Sequence, residues 1–383
     1  MNRQPEAAPM RAWLIEPLPP DVAQSVERLC RAEDVRHVAL MPDVHLANEV
    51  CVGVAMATER LIYPAAVGSD IGCGMAALAI DADAELLADE TTAARVLSGM
   101  YRLIPSIKHS REAVPEKLPD CSHDAPLSDS RLEKLKDRDG RFQFGTLGRG
   151  NHFVELQADE HERLWLMVHS GSRGMGQAIT AHHLRKANAD GHRDRLVSID
   201  AESAAGQGYL SDVAWAIAYA EQNRLAILVA MERLLAELFG VAAIPESLIH
   251  SNHNHVRREA HQGQFYWVHR KGALSAAADE AGVIPGSMGS VSFHVIGRGE
   301  ETSLCSSSHG AGRSLSRGEA SKTINVRQLE REMRGVWFDH RHAAMLRDEA
   351  PSAYKDIHAV MRAQRELTRI ERQLRPLLSY KGI

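Results

Sequence analysis

The chain has 383 residues, 44% hydrophobic and 25% charged, which is the composition of a globular protein with a sizeable core. No apolar run approaches the roughly 18 residues of a membrane-spanning helix, so no membrane association is expected. Without an evident signal peptide, the five cysteines are expected to be thiols in a reducing cytoplasm. The net charge of −5 argues against a uniformly basic nucleic-acid binder. Residues 301–383 nevertheless carry 15 Lys and Arg against 10 Asp and Glu, so a polyanion is expected to meet this part.

The N-terminal half is expected to begin with a flexible tail over residues 1–10, followed by one domain over 11–383. Asp21 is a suitable N-cap for a helix that runs to about Arg31. The next elements are predicted in this order: strands over 35–40 and 51–56, a mainly helical stretch over 82–103, and an exposed polar excursion over 105–145.

The C-terminal half mixes strand and helix signals irregularly. A buried strand over 164–168 ends at His169, and a long amphipathic helix opens at Ser211 or Asp212 and ends at Gly240, a typical C-cap. Short strands over 266–268 and 291–296 precede a last helix over 355–374. This irregular order favours an α+β fold over an alternating α/β fold.

The predicted last helix would carry arginines on one face and apolar residues on the other. The arginines follow 3-4-3 spacing, and the apolar residues lie opposite them: Arg362, Arg365, Arg369 and Arg372 against Val360, Leu367, Ile370 and Leu374. Such a face is either a solvent-exposed basic face without a binding role or a stripe that contacts successive phosphates of a nucleic acid.

The segment Val67–Met75 is the strongest chemical signal. It places Asp70 three residues before Cys73, between glycines that allow a sharply bent backbone. One oxygen and one sulfur ligand at this spacing suit a divalent metal, although an isolated cysteine is more often a buried structural thiol.

Four histidines lie in or beside turns rich in glycine or asparagine: His152, His169, His253 and His309. Turns at strand ends can converge on one cleft. Together with Asp70 and Cys73, neutral imidazoles suit Mn²⁺, Zn²⁺ or Fe²⁺ better than Mg²⁺. The turns at 285–289 and 309–312 expose backbone N–H groups that could cradle phosphate, although neither is a P-loop.

Taken together, these segments resemble the RtcB family of GTP-dependent RNA ligases, over about Pro42 to the C-terminus. The resemblance is carried by 41–45, 67–75, 145–155, 169–174, 253–254, 269–273, 285–289, 308–313, 351–355 and 381–382. It implies a single catalytic domain of mixed and antiparallel sheets, flanked by helices around a deep metal-containing cleft.

The resemblance also implies roles for individual residues. Cys73 would bridge two Mn²⁺ ions, with His152 and His169 on one and Asp70 and His253 on the other. His309 would be the nucleophile that takes GMP from GTP. The implied GTP contacts are Asn151, His152, Phe153, Val154, Glu155, His253, Asn254, Pro285, Gly286, Ser287, Met288, Ser292, His309, Gly310, Ala311, Gly312 and Lys381.

The implied reaction joins an RNA 3′-phosphate, or a 2′,3′-cyclic phosphate opened first, to a 5′-hydroxyl. The RNA would be ribosomal RNA or tRNA, in repair. Arg173, Arg313 and Arg317 are candidates to hold its phosphates by bidentate pairing.

The chain departs from the family pattern after His45, where Leu46–Val50 replaces a Gly-X-Gly stretch and Glu49 adds a negative charge. Its length is closer to a compact bacterial subgroup, some members of which are encoded beside a release-factor homologue. Two alternatives remain open: a metal-dependent cyclic-phosphate hydrolase or phosphodiesterase without ligation, and a non-catalytic RNA- or ribosome-binding protein.

Overall fold

The structure, a computed structural model, describes residues 7–188 and 196–383 and shows an α+β fold. Its strands are β1 (Met10–Ala12), β2 (Val35–His45), β3 (Val52–Thr58), β4 (Leu61–Ile62), β5 (Gly74–Asp83), β6 (Phe153–Ala158), β7 (Arg163–Ser170), β8 (Ile199–Asp200), β9 (Ala243–Asn252), β10 (Asn254–His261), β11 (Gln264–Lys271), β12 (Ala273–Ser275), β13 (Ala281–Ile284), β14 (Ser292–Gly297), β15 (Ser306–Ser308) and β16 (Thr368–Lys381). Its α-helices are α1 (Pro20–Cys30), α2 (Glu90–Leu103), α3 (Asp120–His123), α4 (Ser130–Leu135), α5 (Arg141–Gln143), α6 (Arg173–Ala187), α7 (Ala204–Phe239), α8 (Arg317–Thr323), α9 (Val326–Glu332) and α10 (Ile357–Ala363).

Two larger sheets organise the described residues. One has five strands in the order β1-β2-β3-β11-β10, with β1 parallel to β2. The other has seven antiparallel strands in the order β13-β14-β16-β6-β7-β5-β9. Helices α2 and α7 cover one face of the seven-stranded sheet, where Val154, Leu166 and Ile227 belong to a continuous apolar core. The predicted α+β class is therefore confirmed.

Most predicted strands fall in observed ones, because their alternating or continuous apolar pattern is buried in these two sheets. Helix α1 is also confirmed, although Pro19 stands at its cap and Asp21 lies in the first turn. The stretch 82–103 is helical from Glu90, after β5 has ended at Asp83. Residues 1–6, most of the expected tail, lie outside the described residues, and Met10 pairs with Val38 in β1.

The long helix begins earlier than predicted. Ser203 caps α7 by accepting a hydrogen bond from the backbone N–H of Gly206, so the expected start at Ser211 or Asp212 is wrong. Asp212 is a buried mid-helix residue whose carboxylate binds His183 and Ser128. The predicted end is confirmed, since Gly240 takes the left-handed conformation.

The predicted helix over 355–374 is wrong. Only α10 is helical, and β16 then runs as an interior strand between β14 and β6. The shared arginine face is lost with the helix, because Arg362 stays on α10 while Arg369 and Arg372 lie on the strand. Ile370, expected in the core, is 48% exposed.

The polar segment 105–145 is less exposed than predicted. Although it begins and ends in loops, it contains α3, α4 and α5. Leu118, Leu127 and Leu132 are buried in a core cluster against α6 and α7. These three leucines, although spaced apart in a polar sequence, pack the segment against the two helices.

Candidate metal and nucleotide site

One edge of the seven-stranded sheet assembles the predicted metal ligands. In the adjacent strands β6, β7, β5 and β9, Phe153 pairs with His169, Met75 pairs with His169, and Gly74 pairs with Asn252. His152 and Cys73 immediately precede β6 and β5, and His253 immediately follows β9. Antiparallel register therefore brings four residues, distant in sequence, to the same edge.

Two glycines allow the backbone around Cys73 to fit here. Gly72 has φ +72°, and a Cβ there would lie 2.9 Å from the Cα of Ile217 on α7. A Cβ on Gly74 would lie 2.1 Å from the carbonyl oxygen of Ser251 on β9. The predicted need for glycine beside Cys73 is confirmed, and its cause is close packing against a helix and a strand.

The side chains form two groups that share Cys73. In one, Cys73, His169 and His253 each offer a ligand atom; in the other, Asp70, Cys73 and His152 do. The Cys73 Sγ lies 3.2 Å from His169 Nε2 and 3.4 Å from His152 Nε2. His169 Nε2 lies 3.3 Å from His253 Nε2, and His152 Nε2 lies 2.9 Å from Asp70 Oδ2.

This grouping of side chains differs from the one that the resemblance implies. His152 was expected to share a metal with His169, and Asp70 with His253. The ligand atoms instead place His169 with His253 and Asp70 with His152. The reason is position along the edge: β9 and β7 flank β5, whereas Asp70 lies in the turn just before Cys73, facing the start of β6.

The electrostatics of the two groups suit a divalent cation. Burial lowers the pKa of both His169 and His253 well below the usual value, so both are neutral. Burial alone would raise the pKa of Asp70, but the contact with His152 outweighs it and holds the pKa at about 2. Burial and the Asp70 charge raise the pKa of Cys73, so a bound cation is needed to stabilise the thiolate.

Arg224 supports this edge from behind. It projects from α7, is fully buried, and donates from Nη1 to the carbonyl oxygens of Gly72 and Ser170 at 2.8 and 2.9 Å. Its Nη2 donates to Asn252 Oδ1 at 2.5 Å. One side chain thus fixes the ends of β7 and β9 and the turn before Cys73.

His309, which directly follows β15, lies beside the group formed by Cys73, His169 and His253. Its ring centroid is 4.7 Å from that of His253. Asp43 of β2, which is fully buried, accepts hydrogen bonds at Oδ2 from the His309 backbone N–H (3.1 Å) and from Nδ1 (2.7 Å). A carboxylate oxygen accepts, so Nδ1 is the donor in this pair, and in the neutral ring Nε2 would hold the lone pair.

A cavity of about 280 Å³ adjoins His309 and contains most of the predicted nucleotide residues. Those that line it are Asn151, Phe153, Glu155, Pro285, Gly286, Ser287, Met288, His309, Gly310, Ala311, Gly312 and Lys381. The structure therefore brings together predicted residues from four separate segments of the chain.

Other predicted contacts do not line this cavity. The Val154 side chain packs in the apolar core under α2 and α7. Ser292 lies behind the cavity wall, where its Oγ accepts from the Gln157 amide at 3.1 Å and the Gly286 N–H at 3.4 Å. Asn254 donates to the carbonyl oxygen of Asp70 and accepts from the Gly272 N–H, so it braces the metal-ligand turn.

The charged end of the cavity is organised by Glu349, which is 3% exposed. Its carboxylate pairs with Lys381, with Arg317 at 2.5 Å and with Arg313 at 3.4 Å. Burial alone would raise the pKa of Glu349, but Lys381 and Arg317 outweigh it and hold the pKa below its usual value. Arg173 is elsewhere: it donates to His152 Nδ1 at 3.2 Å, behind the metal ligands.

Three residues that position these groups were given no role by sequence reasoning: Asp43, Arg224 and Glu349. Asp43 lies within segment 41–45, one of the segments that carry the family resemblance, and this could have identified it. No sequence pattern marks Arg224 or Glu349. The altered loop after His45 does not line the cavity. The backbone carbonyl of Glu49 accepts instead from Arg28 of α1, at 2.6 Å.

Two candidate ligand groups that share one thiol, at the edge of an antiparallel sheet, form a site of the kind that could hold metal ions. The chain belongs to the RtcB family: the family model described as tRNA-splicing ligase RtcB matches residues 25–124 and 112–382. It is 36% identical to the RNA-splicing ligase RtcB of Escherichia coli K12, with 98% of each chain covered. It is 29% identical to the enzyme of that name from Mycobacterium tuberculosis, covering 91% of this chain and 97% of the relative.

A more distant relative, the tRNA-splicing ligase RtcB of Archaeoglobus fulgidus, is 27% identical over 96% of this chain and 92% of its own. Full-length similarity of this kind shows that the family match is not confined to the metal ligands. Among the described residues, none of the helices has the length and hydropathy that crossing a membrane requires.

Proposed function

We propose that this protein is an RNA ligase that joins RNA 3′-phosphate or 2′,3′-cyclic phosphate ends to 5′-hydroxyl ends, with GTP and two Mn²⁺ ions. The names of its relatives support ligation of RNA. The observation that carries the proposal is the pairing of His309 with the buried Asp43 at the wall of a cavity suited to a nucleotide.

His309 is the proposed nucleophile. With the proton held on Nδ1 by Asp43, the Nε2 lone pair attacks the α-phosphorus of GTP, a P–N bond forms, and pyrophosphate leaves. An oxygen of the RNA 3′-phosphate then takes the GMP from His309. The RNA 5′-hydroxyl attacks this activated phosphate, and GMP leaves with the bond electrons. Three group transfers, each with a good leaving group, replace one direct condensation.

Asp70, Cys73, His152, His169 and His253 would hold the metal ions, and their oxygen, sulfur and neutral nitrogen donors fit Mn²⁺. The ions would offset the negative charge of the triphosphate as pyrophosphate departs. The chain's own contribution is orientation: Asn151 accepts from His169 Nδ1 through its carbonyl oxygen at 3.0 Å, which turns Nε2 toward the ligand group.

The remaining wall residues would hold GTP and RNA. The turns at 285–288 and 310–312 present backbone groups to the cavity, and Lys381 and Arg317 supply positive charge. Arg313 also lines the cavity, and Arg173 would act from the metal side. Ribosomal RNA as substrate and a release-factor homologue as partner rest on the resemblance alone. The names of relatives support tRNA as substrate, and the cytoplasmic location rests on the cysteines expected to be reduced.

The two other candidate functions lack an observation of their own. A hydrolase would need the metal groups but has no use for a histidine oriented by a buried carboxylate at a nucleotide-sized cavity. A non-catalytic RNA binder needs neither. Both therefore serve as alternative outcomes of the experiment below.

The test is transfer of label from α-phosphate-labelled GTP to the protein in the presence of Mn²⁺. We expect an acid-labile labelled band that is lost in His309→Ala and in Cys73→Ala. His340→Ala and Cys121→Ala, which change exposed residues of the same types, should label normally. If the folded, metal-loaded protein gives no band but opens a cyclic phosphate, the hydrolase is favoured; RNA binding alone favours the third function.

A further inference from the structure

A third group of potential metal ligands lies outside the proposed active site. Cys305, His261 and Glu301 each offer one ligand atom, and these atoms lie within 4.8 Å of one another. They come from two segments: the end of β10, and the 3₁₀ turn Glu301–Ser303 with the residues that lead into β15. We propose that this group binds one Zn²⁺ ion, independently of the proposed ligase function.

The donor set is that of a zinc site. Zn²⁺ takes tetrahedral nitrogen, sulfur and oxygen ligands, at about 2.0–2.3 Å. His261 Nδ1 lies 3.1 Å from Glu301 Oε2, close to the separation of two ligands on one tetrahedral ion. Cys305 is half-buried and Glu301 is largely exposed, so the ion has an entry path and a water can complete its coordination.

The surroundings of His261 match the usual environment of a metal-ligating histidine. Its other ring nitrogen, Nε2, lies 3.2 Å from Glu259 Oε2, so a proton on Nε2 can be donated to that carboxylate while Nδ1 ligates. Glu259 is in turn held by both Nη atoms of Arg270, at 2.5 and 2.9 Å. The ring is thus fixed before any ion arrives.

The same arginine fixes the cysteine segment. Arg270 is fully buried and donates from Nη2 to the Leu304 carbonyl oxygen and from Nε to Ser306 Oγ, both at 2.8 Å. Leu304 and Cys305 have φ of +55° and +44°, a conformation that non-glycine residues adopt only when their surroundings impose it. Cys305 is therefore held beside His261 by an imposed backbone geometry.

Charge at the site favours a cation. The two ring nitrogens of His261 face carboxylates, Nδ1 that of Glu301 and Nε2 that of Glu259. Zn²⁺ would displace the thiol proton of Cys305 and any proton on His261 Nδ1, and both protons would pass to solvent. One thiolate and the Glu301 carboxylate then balance the charge of the ion, while Glu259 stays paired with Arg270.

A structural consequence follows from the position of Cys305. The chain reaches His309 four residues later, through the short strand β15, which pairs only with β12 among the described strands. A bound ion would tie this segment to the β10–β11 hairpin. The site is thus expected to stabilise the stretch that carries His309 without touching the nucleotide cavity.

The experiment is to strip the protein of metal, titrate it with Zn²⁺ against a chromogenic chelator, and compare Cys305→Ser with Cys121→Ser. We expect Cys305→Ser to bind one Zn²⁺ fewer per chain than the unchanged protein, and Cys121→Ser to bind the same number. Glu301→Gln, a change at an exposed side chain, should weaken that one ion by about 10-fold or more. Equal Zn²⁺ stoichiometry in the unchanged protein, Cys305→Ser and Cys121→Ser would overturn the proposal.

A second measurement separates this ion from those at Cys73. In a Cys73→Ala background, added Co²⁺ should give a thiolate-to-cobalt charge-transfer absorption that disappears when Cys305→Ser is added. If the band is absent in the folded Cys73→Ala protein, or persists after Cys305→Ser, the site is wrong. If Cys73→Ala does not fold, the zinc stoichiometry of the Cys305→Ser and Cys121→Ser pair decides alone.

Discussion

The carboxylate of Asp43 binds both the backbone N–H and the Nδ1 of His309, across a separation of 266 residues in sequence. This fixes the ring orientation and the tautomer at once. Nε2 is the nitrogen left to react, so Asp43 is a positioning residue for the proposed guanylylation.

We therefore predict that Asp43→Asn slows guanylylation of His309 on the order of 10²- to 10⁴-fold. The Asn side chain can be oriented in two ways. If its oxygen takes the place of Oδ2, its NH₂ group takes the place of Oδ1, which is buried without a hydrogen-bond partner among the described residues, so the NH₂ group has no acceptor there. If its NH₂ group takes the place of Oδ2, it faces the Nδ1–H, and two donors meet without an acceptor. Single-turnover labelling measures the rate, and an unchanged rate in a protein of normal melting temperature would contradict the assigned role.

Metal binding to Cys73, His169 and His253 is predicted to release one proton. The pKa of Cys73 is raised, so its thiol is protonated near neutral pH, whereas the lowered pKa values of the two histidines leave both already neutral. Affinity should thus rise about tenfold per pH unit. Calorimetry of Mn²⁺ binding in buffers of different ionisation enthalpy counts the protons; the count would be zero if Cys73 were not a ligand.

Arg224→Met is predicted to lower the free energy of unfolding by about 3 kcal/mol or more. The carbonyl oxygens of Gly72 and Ser170 would lose their donor in a buried place, and the packing volume is roughly kept. Urea denaturation measures the change. Arg233→Met, an exposed position on the same helix, should stay within about 0.5 kcal/mol of the unchanged protein. Similar values for the two variants would argue against a support role for Arg224.

Gly74→Ala is predicted to destabilise the fold and to impair metal binding together, since its Cβ would meet the Ser251 backbone and push β5 away from β9. The matched control is Gly318→Ala in α8, where a Cβ meets nothing within 4 Å and should be neutral or slightly stabilising. Thermal melting and metal content are measured for both. Normal metal content in Gly74→Ala would mean that the strand pair can separate without moving Cys73.

Glu155→Gln is predicted to make stability less dependent on pH. Burial raises the pKa of Glu155 from about 4.5 to about 7, against the opposing contacts with Ser379 and Lys381. Between these values the folded state keeps a proton that the unfolded state has lost, so stability falls as pH rises through this window. Removing the group should raise stability at pH 8 by about 1–3 kcal/mol and change little below pH 4.5. Urea denaturation at pH 4.5 and 8 tests this, with Glu237→Gln as the exposed control.

The sequence by itself determined the family and the α+β class and predicted a set of metal ligands, because these depend on residue types at short spacings. Cys73 between glycines and His152 after a glycine turn are local patterns. The end of α7 at Gly240 is local too, since a left-handed C-cap depends only on the residue at that position.

Only the tertiary structure decided which candidate ligand side chains lie together, which carboxylate holds His309, and that residues 368–381 form a strand. Arginines at 3-4-3 spacing satisfy a helix period, but pairing with β14 and β6 supplies backbone hydrogen bonds on both sides of β16. That pairing also buries Lys381 beside Glu349, near the end of the chain, where a loose terminus is the usual expectation. Each of these contacts joins residues far apart in sequence, and a local sequence pattern does not specify which distant residues come into contact.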